Sequence, residues 1–467
     1  MAGERTVVLR TTTLVVTLMA LLLGQSLSPI LWDAPKDSQN TESRTGDTWI
    51  DGGISWPQFG RTPSRESSVP PHDPSNPTGD ELLSITTPVI NWIHYPESDV
   101  GVETLGVAAG NFSGNIDTSG LQLDSCARDS LSPVFIHQQS VGGNPHAFVR
   151  IVDGDTSQTM WEIDVGAIDR EVKATPVLLD ADDDGTLEML IVYDQNGQAT
   201  VEMWSPYIEC DVTGWKSGGS HESDRLWRWS HNSFQMAADR TCQTCHEPIA
   251  QPLIADLFLD GGPELILAMH DDINDEPNVI ALPLPTTGTP SPIWEVTLDK
   301  GTHASDPAWV KIDSVSSAIM LTTINENNGN MWVWRLNAAN GQVQYDDTLN
   351  NLDGDTASPH VRLPGPIITQ LDSDSAPEMI VTIPTDIDGA GTSDGAEFIG
   401  MNVIDGSEIF SFTSSNGYAD APPAVIDSDG NGVTDRICWN TWYRDGLSWH
   451  GMVGCHDYDE QNQNTWL

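Results

Sequence analysis

The feature that most constrains the fold of this chain is a repeat of two short apolar segments separated by an acidic turn. Each apolar segment has about five to seven residues, too few for a packed helix, so each copy predicts a β-hairpin. Weaker copies begin near Glu103 and Ser305. The four clear copies are TPVLLDADDDGTLEMLIVYD from Thr175, QPLIADLFLDGGPELILAMHD from Gln251, GPIITQLDSDSAPEMIVTIP from Gly365 and APPAVIDSDGNGVTDRICWN from Ala421.

A second hairpin pattern alternates with the first: a strand, a turn that contains glycine, and a strand that carries an aromatic residue. We expect Trp161, Trp294 and Phe410 on the outer strand of their units. Two hairpins make four strands, the content of one propeller blade. The sequence therefore predicts an all-β chain, a single β-propeller of six to seven four-stranded blades with eight as the upper limit. The domain would span residues 86–467, with an insertion at about 206–247.

The repeats also resemble known families. The acidic turns, with Asp-x-Asp-x-Asp/Asn-Gly, resemble FG-GAP or VCBS repeats, the integrin-like propeller blades. That resemblance implies Ca²⁺ in the turns and a role in adhesion or ligand recognition. The aromatic outer strands and the segment Trp56-Pro57-Gln58-Phe59-Gly60-Arg61 are similar to propellers of the pyrroloquinoline-quinone type. The acidic base and quinone-facing arginine of a quinoprotein dehydrogenase cannot be assigned in this sequence.

Two of the acidic turns keep a complete set of oxygen ligands for a hard cation. Alternating carboxylate or amide side chains converge in a tight turn, glycine permits the bend, and a closing acid adds an oxygen. Strands flank both turns, which excludes an EF-hand. Alternatively, Asp, Asn and Gly simply form good turns. The predicted Ca²⁺ ligands are Asp180, Asp182, Asp184 and Glu188 in one turn, and Asp427, Asp429, Asn431 and Asp435 in the other.

Two further turns keep only part of this pattern, and we expect weaker binding or none. One has Phe258 at a ligand position, and the other has Gln370 first and Ser375 in place of glycine. In all four turns the predicted role of the ion is to stabilise the fold. The weaker candidate ligands are Asp256, Asp260 and Glu264 in the first, and Asp372, Asp374 and Glu378 in the second.

The charge of the chain argues against nucleic acid as a partner. There are 68 acidic residues against 20 basic ones, a formal net charge of −48. Such a surface repels phosphate backbones and anionic lipid headgroups. It fits a saline habitat, many divalent-cation sites, or both.

The N-terminus predicts export. Arg5 and Arg10 precede an apolar stretch from Leu14 to Leu23, the pattern of a signal peptide over residues 1–27, with an uncleaved anchor as the alternative. Residues 28–85 are rich in Ser, Thr, Pro, Asp and Gly and predict a linker. We expect a secreted or extracellular protein, attached to the cell surface in the anchored case, with no other membrane span.

Six cysteines in an exported chain favour disulfides. Cys438 and Cys455 lie on two segments that flank a predicted turn, so we predict a cross-strand disulfide between them. The sequence identifies no partner for Cys126 or Cys210.

The segment Cys242-Gln243-Thr244-Cys245-His246 matches the attachment signature of c-type haem, with His246 as the proximal iron ligand. The alternatives are a small disulfide loop, pairing of these cysteines with Cys126 or Cys210, or zinc.

We therefore carry two functional hypotheses, beside a third, a polysaccharide-cleaving enzyme on a propeller, that rests on fold analogy only. The first is a secreted or cell-surface Ca²⁺-binding propeller, a monomer that binds a protein or glycan through its loop face. The second is an exported c-type haem electron-transfer protein or propeller oxidoreductase. No catalytic residue can be assigned from the sequence, which favours the first.

Overall fold

The structure of the protein, a computed structural model, describes residues 107–457 apart from internal gaps. The predicted signal peptide and linker lie outside the described residues. The gaps are 118–125, 127–130, 155, 169–173, 212–213, 217–220, 235, 237–249, 272–273, 275, 326–327, 350–362, 373, 386–394, 415–416, 418, 420, 428–431 and 446–447.

The described chain is all-β, as the repeat predicts. Its described helical segments are two 3₁₀ turns, Ser113–Asn115 and Glu222–Asp224. In chain order the strands are β1 (Val107–Gly110), β2 (Ile116–Asp117), β3 (Ser132–Val141), β4 (Asn144–Val152), β5 (Thr159–Ala167), β6 (Val177–Leu179), β7 (Glu188–Gln195), β8 (Gln198–Trp204), β9 (Ile208–Asp211), β10 (Gly214–Trp215), β11 (Arg225–Ser230), β12 (Leu253–Ala255), β13 (Glu264–Asp271), β14 (Glu276–Pro283), β15 (Trp294–Thr297), β16 (His303–Ala304), β17 (Ala308–Lys311), β18 (Ser317–Ile324), β19 (Met331–Asn337), β20 (Val343–Thr348), β21 (Ile367–Thr369), β22 (Glu378–Thr385), β23 (Gly395–Asn402), β24 (Glu408–Ser414), β25 (Ala424–Ile426), β26 (Arg436–Asp445) and β27 (Ser448–Asp457).

Six antiparallel sheets follow one another along the chain. Sheet 1 contains β1, β3, β4 and β5, and sheet 2 contains β6, β7, β8 and β11. Sheet 3 is β12 to β15, sheet 4 is β16 to β20, sheet 5 is β21 to β24, and sheet 6 is β25 to β27. Strands that are adjacent in a sheet also follow one another in the chain, apart from the accessory strands and the placement of β16 beside β18. Each of the four predicted acidic hairpins is formed.

The predicted aromatic residues lie on outer strands. Trp161, Trp294 and Phe410 lie on β5, β15 and β24. The Trp294 ring also covers Gly341 of the next sheet, where an added Cβ would lie 2.6 Å from the ring and φ is +68°. Glycine is therefore required at that turn for two reasons, its left-handed backbone and the close approach of the ring.

Consecutive sheets pack face to face, so their middle strands are buried on both sides. In sheet 2, Leu178 and Met189 pack towards sheet 1, whereas Val177 and Leu190 pack towards sheet 3. Similar apolar layers separate sheets 3 and 4, sheets 4 and 5, and sheets 5 and 6. This two-sided burial explains why the segments are apolar at nearly every position instead of alternating.

Hydrogen bonds also join the starts of the first strands of successive sheets. Gln251 Oε1 accepts the Thr175 N–H at 2.6 Å, and Asp306 Oδ1 accepts the Gln251 N–H at 2.6 Å. All three residues are buried. In sheet 5, Gly365 follows the same plan, because a Cβ there would lie 2.5 Å from the Asp306 carbonyl oxygen. These contacts fix the register of sheets 2 to 5 against one another.

A small accessory sheet lies outside the stack. β2 pairs in parallel with β9, and β9 pairs with β10. A disulfide joins Cys126, in the connection that follows β2, to Cys210 on β9, with 6.3 Å between the Cα atoms. The alternative in which Cys242 or Cys245 pairs with either of these cysteines is therefore wrong, because the two are already bonded to each other.

Among the described residues, none of the helical segments has the length and apolar character needed to cross a bilayer.

Candidate metal-binding turns

Three of the acidic turns share one buried anchor, a glutamate at the first position of the second strand. Glu188, Glu264 and Glu378 each direct Oε2 back across the turn to accept a backbone N–H, at 2.8, 2.8 and 2.7 Å. The three donors, in the same order, are the N–H groups of Ala181, Leu257 and Leu371. The closing acid predicted from the sequence is thus a structural residue of the hairpin in every one of these turns.

The first of these turns, called here the Asp180 turn (180–188), brings three carboxylates together. One oxygen from each of Asp180, Asp182 and Glu188 lies within 4.8 Å of the others. Asp184 lies outside this group; its Oδ1 accepts the N–H and the hydroxyl of Thr186 at 2.8 and 2.6 Å. Ca²⁺ prefers oxygen ligands such as carboxylates and accepts them in a flexible coordination geometry.

The backbone of the Asp180 turn is held by its first carboxylate. Asp180 accepts the N–H groups of Asp184 and Gly185 at 3.0 and 2.9 Å. Asp183 and Gly185 both have left-handed backbone, with φ of +59° and +85°. Aspartate and glycine adopt this conformation more readily than most residues. The sequence therefore fixes a tight loop whose side chains converge.

Burial and mutual repulsion raise the pKa values of these acids. Burial raises the pKa of Glu188 to about 7, opposed by its bonds to the Ala181 N–H and the Ser205 hydroxyl. The pKa of Asp182 is also raised, by burial and then by the charges of Asp184 and Asp180. A bound cation would offset this repulsion, because it favours the ionised form of each ligand.

The Asp256 turn (256–264) keeps the same backbone plan without the same cluster. Asp256 accepts the N–H groups of Asp260 and Gly261 at 3.0 and 2.8 Å. Phe258 occupies the place of Asp182, and it is exposed. Asp256, Asp260 and Glu264 are not among the described carboxylate groups that meet within 4.8 Å. Burial raises the pKa of Glu264 to about 7.

In the Gln370 turn (370–378) an amide replaces the first carboxylate. Gln370 Nε2 donates to the carbonyl oxygens of Asp372, Asp374 and Ala376, at 3.2, 2.7 and 3.2 Å. Carboxylate oxygens of Asp372, Asp374 and Glu378 nevertheless lie within 4.8 Å of one another. The structure thus brings together a ligand group that the sequence ranks as weaker, beside an amide that already satisfies three carbonyls.

One oxygen of this cluster has no partner among the described residues. Glu378 is 0% exposed, and its Oε1 makes no hydrogen bond. Burial raises the pKa of Glu378 to about 7. A buried oxygen without a donor is costly, and either a proton on the carboxyl group or a cation would relieve it. The donor set, all oxygen, fits a hard divalent cation.

The fourth acidic turn is described only at its ends. Asp427 Oδ2 accepts the Gly432 N–H at 2.7 Å, and Gly432 has a φ of +89°. Asp435 lies just before β26. The other two predicted ligands, Asp429 and Asn431, lie outside the described residues, so a Ca²⁺ site here stays a prediction.

All four turns lie at the same ends of the sheets. We define the acidic-turn face as the ends at which the first strand of each sheet connects to the second and the third connects to the fourth. Hydrogen bonds between connections of neighbouring sheets show that these sheets have the same orientation. Asn115 Nδ2 donates to the Leu187 carbonyl at 2.9 Å, Ser317 Oγ donates to the Leu257 carbonyl at 3.0 Å, and the Thr434 N–H donates to the Gln370 carbonyl at 2.7 Å.

The two remaining cysteine predictions have different outcomes. Cys438 and Cys455 are directly paired on β26 and β27 and form the predicted disulfide, with 4.0 Å between the Cα atoms. Cys242, Cys245 and His246 lie outside the described residues. The haem attachment stays a prediction.

Sequence reasoning missed the role of Gln370. It was expected only to weaken a metal site, whereas its amide group donates to three carbonyls of its own turn. A signal was present: the glutamine carboxamide can donate hydrogen bonds at a position where the other three turns have aspartate, which only accepts them.

Comparisons with known proteins identify no family for this chain. No family model matches it, and no curated protein matches it at a significant level. The resemblance to FG-GAP or VCBS repeats is therefore not confirmed at the level of the family.

Several solved structures resemble the chain at low identity. The V. cholerae biofilm matrix protein Bap1 is 12% identical, with a TM-score of 0.35, over 62% of this chain and 36% of Bap1. The Penicillium chrysogenum alpha-L-arabinanase is 11% identical, with a TM-score of 0.34, over 72% of this chain and 92% of the enzyme. The Dos1 propeller is 9% identical, with a TM-score of 0.29, over 66% of this chain and 71% of that structure. At these values the likeness assigns neither an activity nor a partner.

Proposed function

We propose that the six sheets close into a β-propeller that is exported, stabilised by Ca²⁺ in its acidic turns, and used as a binding module for a protein or glycan. The observation that carries the proposal is the convergence of Asp180, Asp182 and Glu188 at the acidic-turn face. Face-to-face packing of successive sheets supports the ring. The two described disulfides are consistent with an oxidising compartment outside the cytosol.

Calorimetry of the purified chain tests the role of Ca²⁺. A ligand that binds only the folded state raises the melting temperature, and at a concentration 100 times its Kd it adds about 2.7 kcal/mol of stability. We expect a higher melting temperature in CaCl₂ than in EDTA. Asp182→Asn should reduce this difference. Asp183→Asn is the matched control, because it removes an exposed charge from the same turn and Asn tolerates left-handed backbone.

The binding role requires a different readout. We would screen the folded chain against arrays of glycans and of extracellular proteins, and repeat each positive result with two charge-bearing variants. Ser314→Arg places a bulky group on the acidic-turn face, and Asn144→Arg places the same group at the opposite ends of the strands; both positions are exposed. Loss of a ligand only in Ser314→Arg supports the proposed face, and loss only in Asn144→Arg contradicts it.

The second hypothesis, a c-type haem protein, rests on the segment from Cys242 to His246. Expression in a host that carries the haem-maturation machinery, followed by a pyridine haemochrome spectrum, decides it. A covalent haem band would replace the binding-module proposal with an electron-transfer or oxidoreductase role. Its absence would leave the Ca²⁺-binding propeller as the better interpretation.

A further inference from the structure

The acidic-turn face carries most of the large apolar side chains that the described chain exposes. Eight such residues are exposed, and five of them lie in connections on this face. Scattered exposed apolar residues need no explanation, whereas their concentration on one face indicates contact with a partner. The five are Leu131, Tyr207, Phe258, Val315 and Ile404.

Two of these residues lie in turns that are bonded to each other. Phe258 is in the turn of sheet 3, and Val315 is in the corresponding turn of sheet 4, between β17 and β18. They are 43% and 85% exposed. Ser317 Oγ, at the end of one turn, donates to the Leu257 carbonyl in the other at 3.0 Å. The two turns are therefore neighbours on this face, and their two exposed side chains are called here the Phe258–Val315 patch.

The sequence of the Asp256 turn is unfavourable unless this patch has a use. The Asp180 turn has Asp182 and Asp183 where this turn has Phe258 and Leu259. Leu259 has a φ of +57°, close to the +59° of Asp183. Left-handed backbone is strained for leucine and tolerated by aspartate. The turn thus keeps the same conformation with a strained leucine and an exposed phenylalanine, which neither folding nor solubility favours.

Acidic residues are close in sequence to both members of the patch. Asp256 and Asp260 flank Phe258, and Asp313 lies two residues before Val315, with its Oδ1 accepting the Val315 N–H at 2.8 Å. Lys311, at the end of β17, is the basic residue nearest in sequence. The whole chain carries a net charge of −48. A partner that docks here must bring apolar groups together with positive charge.

We infer that the Phe258–Val315 patch is a docking surface for a polypeptide segment whose apolar side chains are flanked by lysine or arginine. This inference rests on the proposed function, because it narrows the ligand of the same face. A polypeptide fits better than a glycan because sugars stack on flat aromatic rings, whereas half of this patch is the branched aliphatic side chain of Val315. The acidic rim attracts the segment, and its apolar side chains cover Phe258 and Val315.

The test uses a fluorescent synthetic peptide in which lysine and phenylalanine alternate. One control peptide alternates lysine with serine, and another alternates glutamate with phenylalanine. The variants are the double substitution Phe258→Ser with Val315→Ser and the single substitution Val141→Ser, which changes an exposed residue at the opposite ends of the strands. Fluorescence anisotropy on the full folded chain, in CaCl₂ and in EDTA, gives the affinities.

We expect the Lys-Phe peptide to bind the unmodified chain, and the double variant to bind it at least about tenfold more weakly while Val141→Ser is unchanged. Three results would each overturn the inference. The double variant could bind the Lys-Phe peptide as tightly as the unmodified chain does. The unmodified chain could bind the Lys-Ser peptide as tightly as the Lys-Phe peptide, or bind the Glu-Phe peptide more tightly. If calcium adds no stability but the double variant still loses the peptide, the calcium proposal fails and this one stands. If calcium stabilises the chain but the double variant keeps the peptide, this inference fails alone.

Discussion

The Asp180 turn and the Gln370 turn have the same plan but opposite chemistry at their first position. In both, a buried glutamate accepts the N–H of the residue after that position. Asp180 is negative and accepts two backbone N–H groups, whereas Gln370 donates its amide hydrogens to three backbone carbonyls. In the Asp180 turn a bound cation would organise the carboxylate oxygens, whereas in the Gln370 turn an internal amide donor already organises the backbone carbonyls.

The comparison suggests why a repeat protein would keep both kinds of turn. A turn that needs an ion is only as stable as the supply of that ion allows. A turn closed by an amide is formed at any Ca²⁺ concentration. We interpret the Gln370 turn as one that forms without an ion, while its clustered carboxylates keep a ligand set that a cation would fit.

The pH dependence of stability should give the largest effect, because it includes the buried glutamates of three turns, the Asp180, Asp256 and Gln370 turns. Burial raises the pKa of Glu188, Glu264 and Glu378 from 4.5 to about 7. The folded state therefore holds these protons more tightly than the unfolded state. In EDTA, the stability they contribute is fully present below pH 4.5 and is lost as pH rises through about 7. We expect a loss of about 1–3 kcal/mol per glutamate, measured by urea unfolding.

Calcium should reduce this loss at high pH, since a cation favours the ionised carboxylates. Glu188→Gln should make the calcium effect smaller. A stability that rises between pH 5 and pH 8 in EDTA would contradict the assignment.

Gln370→Glu should give the next largest effect. The change keeps the shape of the side chain, replaces its donor with a charged acceptor, and places that charge near Asp372, Asp374 and Glu378. We expect a loss of about 3 kcal/mol in EDTA, from the unsatisfied carbonyls and the added repulsion. Calcium should restore much of it. Equal destabilisation with and without calcium would show that the Gln370 turn cannot accept an ion even with a carboxylate in first place.

Asp180→Asn should reduce the dependence of stability on calcium, whereas Gln370→Glu should increase it. The amide keeps one acceptor oxygen for the Asp184 or Gly185 N–H but removes a negative ligand. We expect the calcium-dependent rise in melting temperature to shrink, with a loss of about 1–2 kcal/mol at saturating calcium. Asp405→Asn is the control, because Asp405 lies in the β23–β24 turn and outside the carboxylate clusters.

The smallest effect is expected from Glu378→Gln. Glu378 Oε1 is buried and has no hydrogen-bond partner within the described part of the chain, whereas Glu188 Oε1 accepts from the Ser205 hydroxyl at 3.2 Å. Removing the charge of Glu378 at pH 8 in EDTA should therefore raise stability by up to about 1 kcal/mol, because a neutral amide is cheaper to bury. Chemical denaturation measures it. A large loss of stability would mean that the ionised carboxylate has a partner in solution.

Much of the fold could be predicted because it follows from local pattern. The sequence repeat, the turn residues and the continuous apolar segments are all visible in short stretches of sequence. They correctly predicted the hairpins around Asp180, Asp256 and Gln370. The Cys438–Cys455 disulfide was predictable for the same reason, since both residues belong to one hairpin. The closure of the sheets into a ring stays a prediction.

What the sequence could not provide depends on residues far apart in the chain. Cys126 and Cys210 are 84 residues apart, and nothing local pairs them. The bonds that join Thr175 to Gln251 and Gln251 to Asp306 cross from sheet to sheet. The patch formed by Phe258 and Val315 likewise depends on the stacking of two sheets. Long-range contacts of this kind leave no periodic signal.

The Cys126–Cys210 disulfide has a mechanical consequence. It ties the β1–β3 connection of sheet 1 to β9, which lies in the β8–β11 connection of sheet 2, so these two sheets are joined covalently as well as by their apolar layer. Under tension, this junction would be the last to separate, and a pulled molecule would part elsewhere in the stack. The first sheets to separate would be those that lack such a crosslink, while sheets 1 and 2 stay joined.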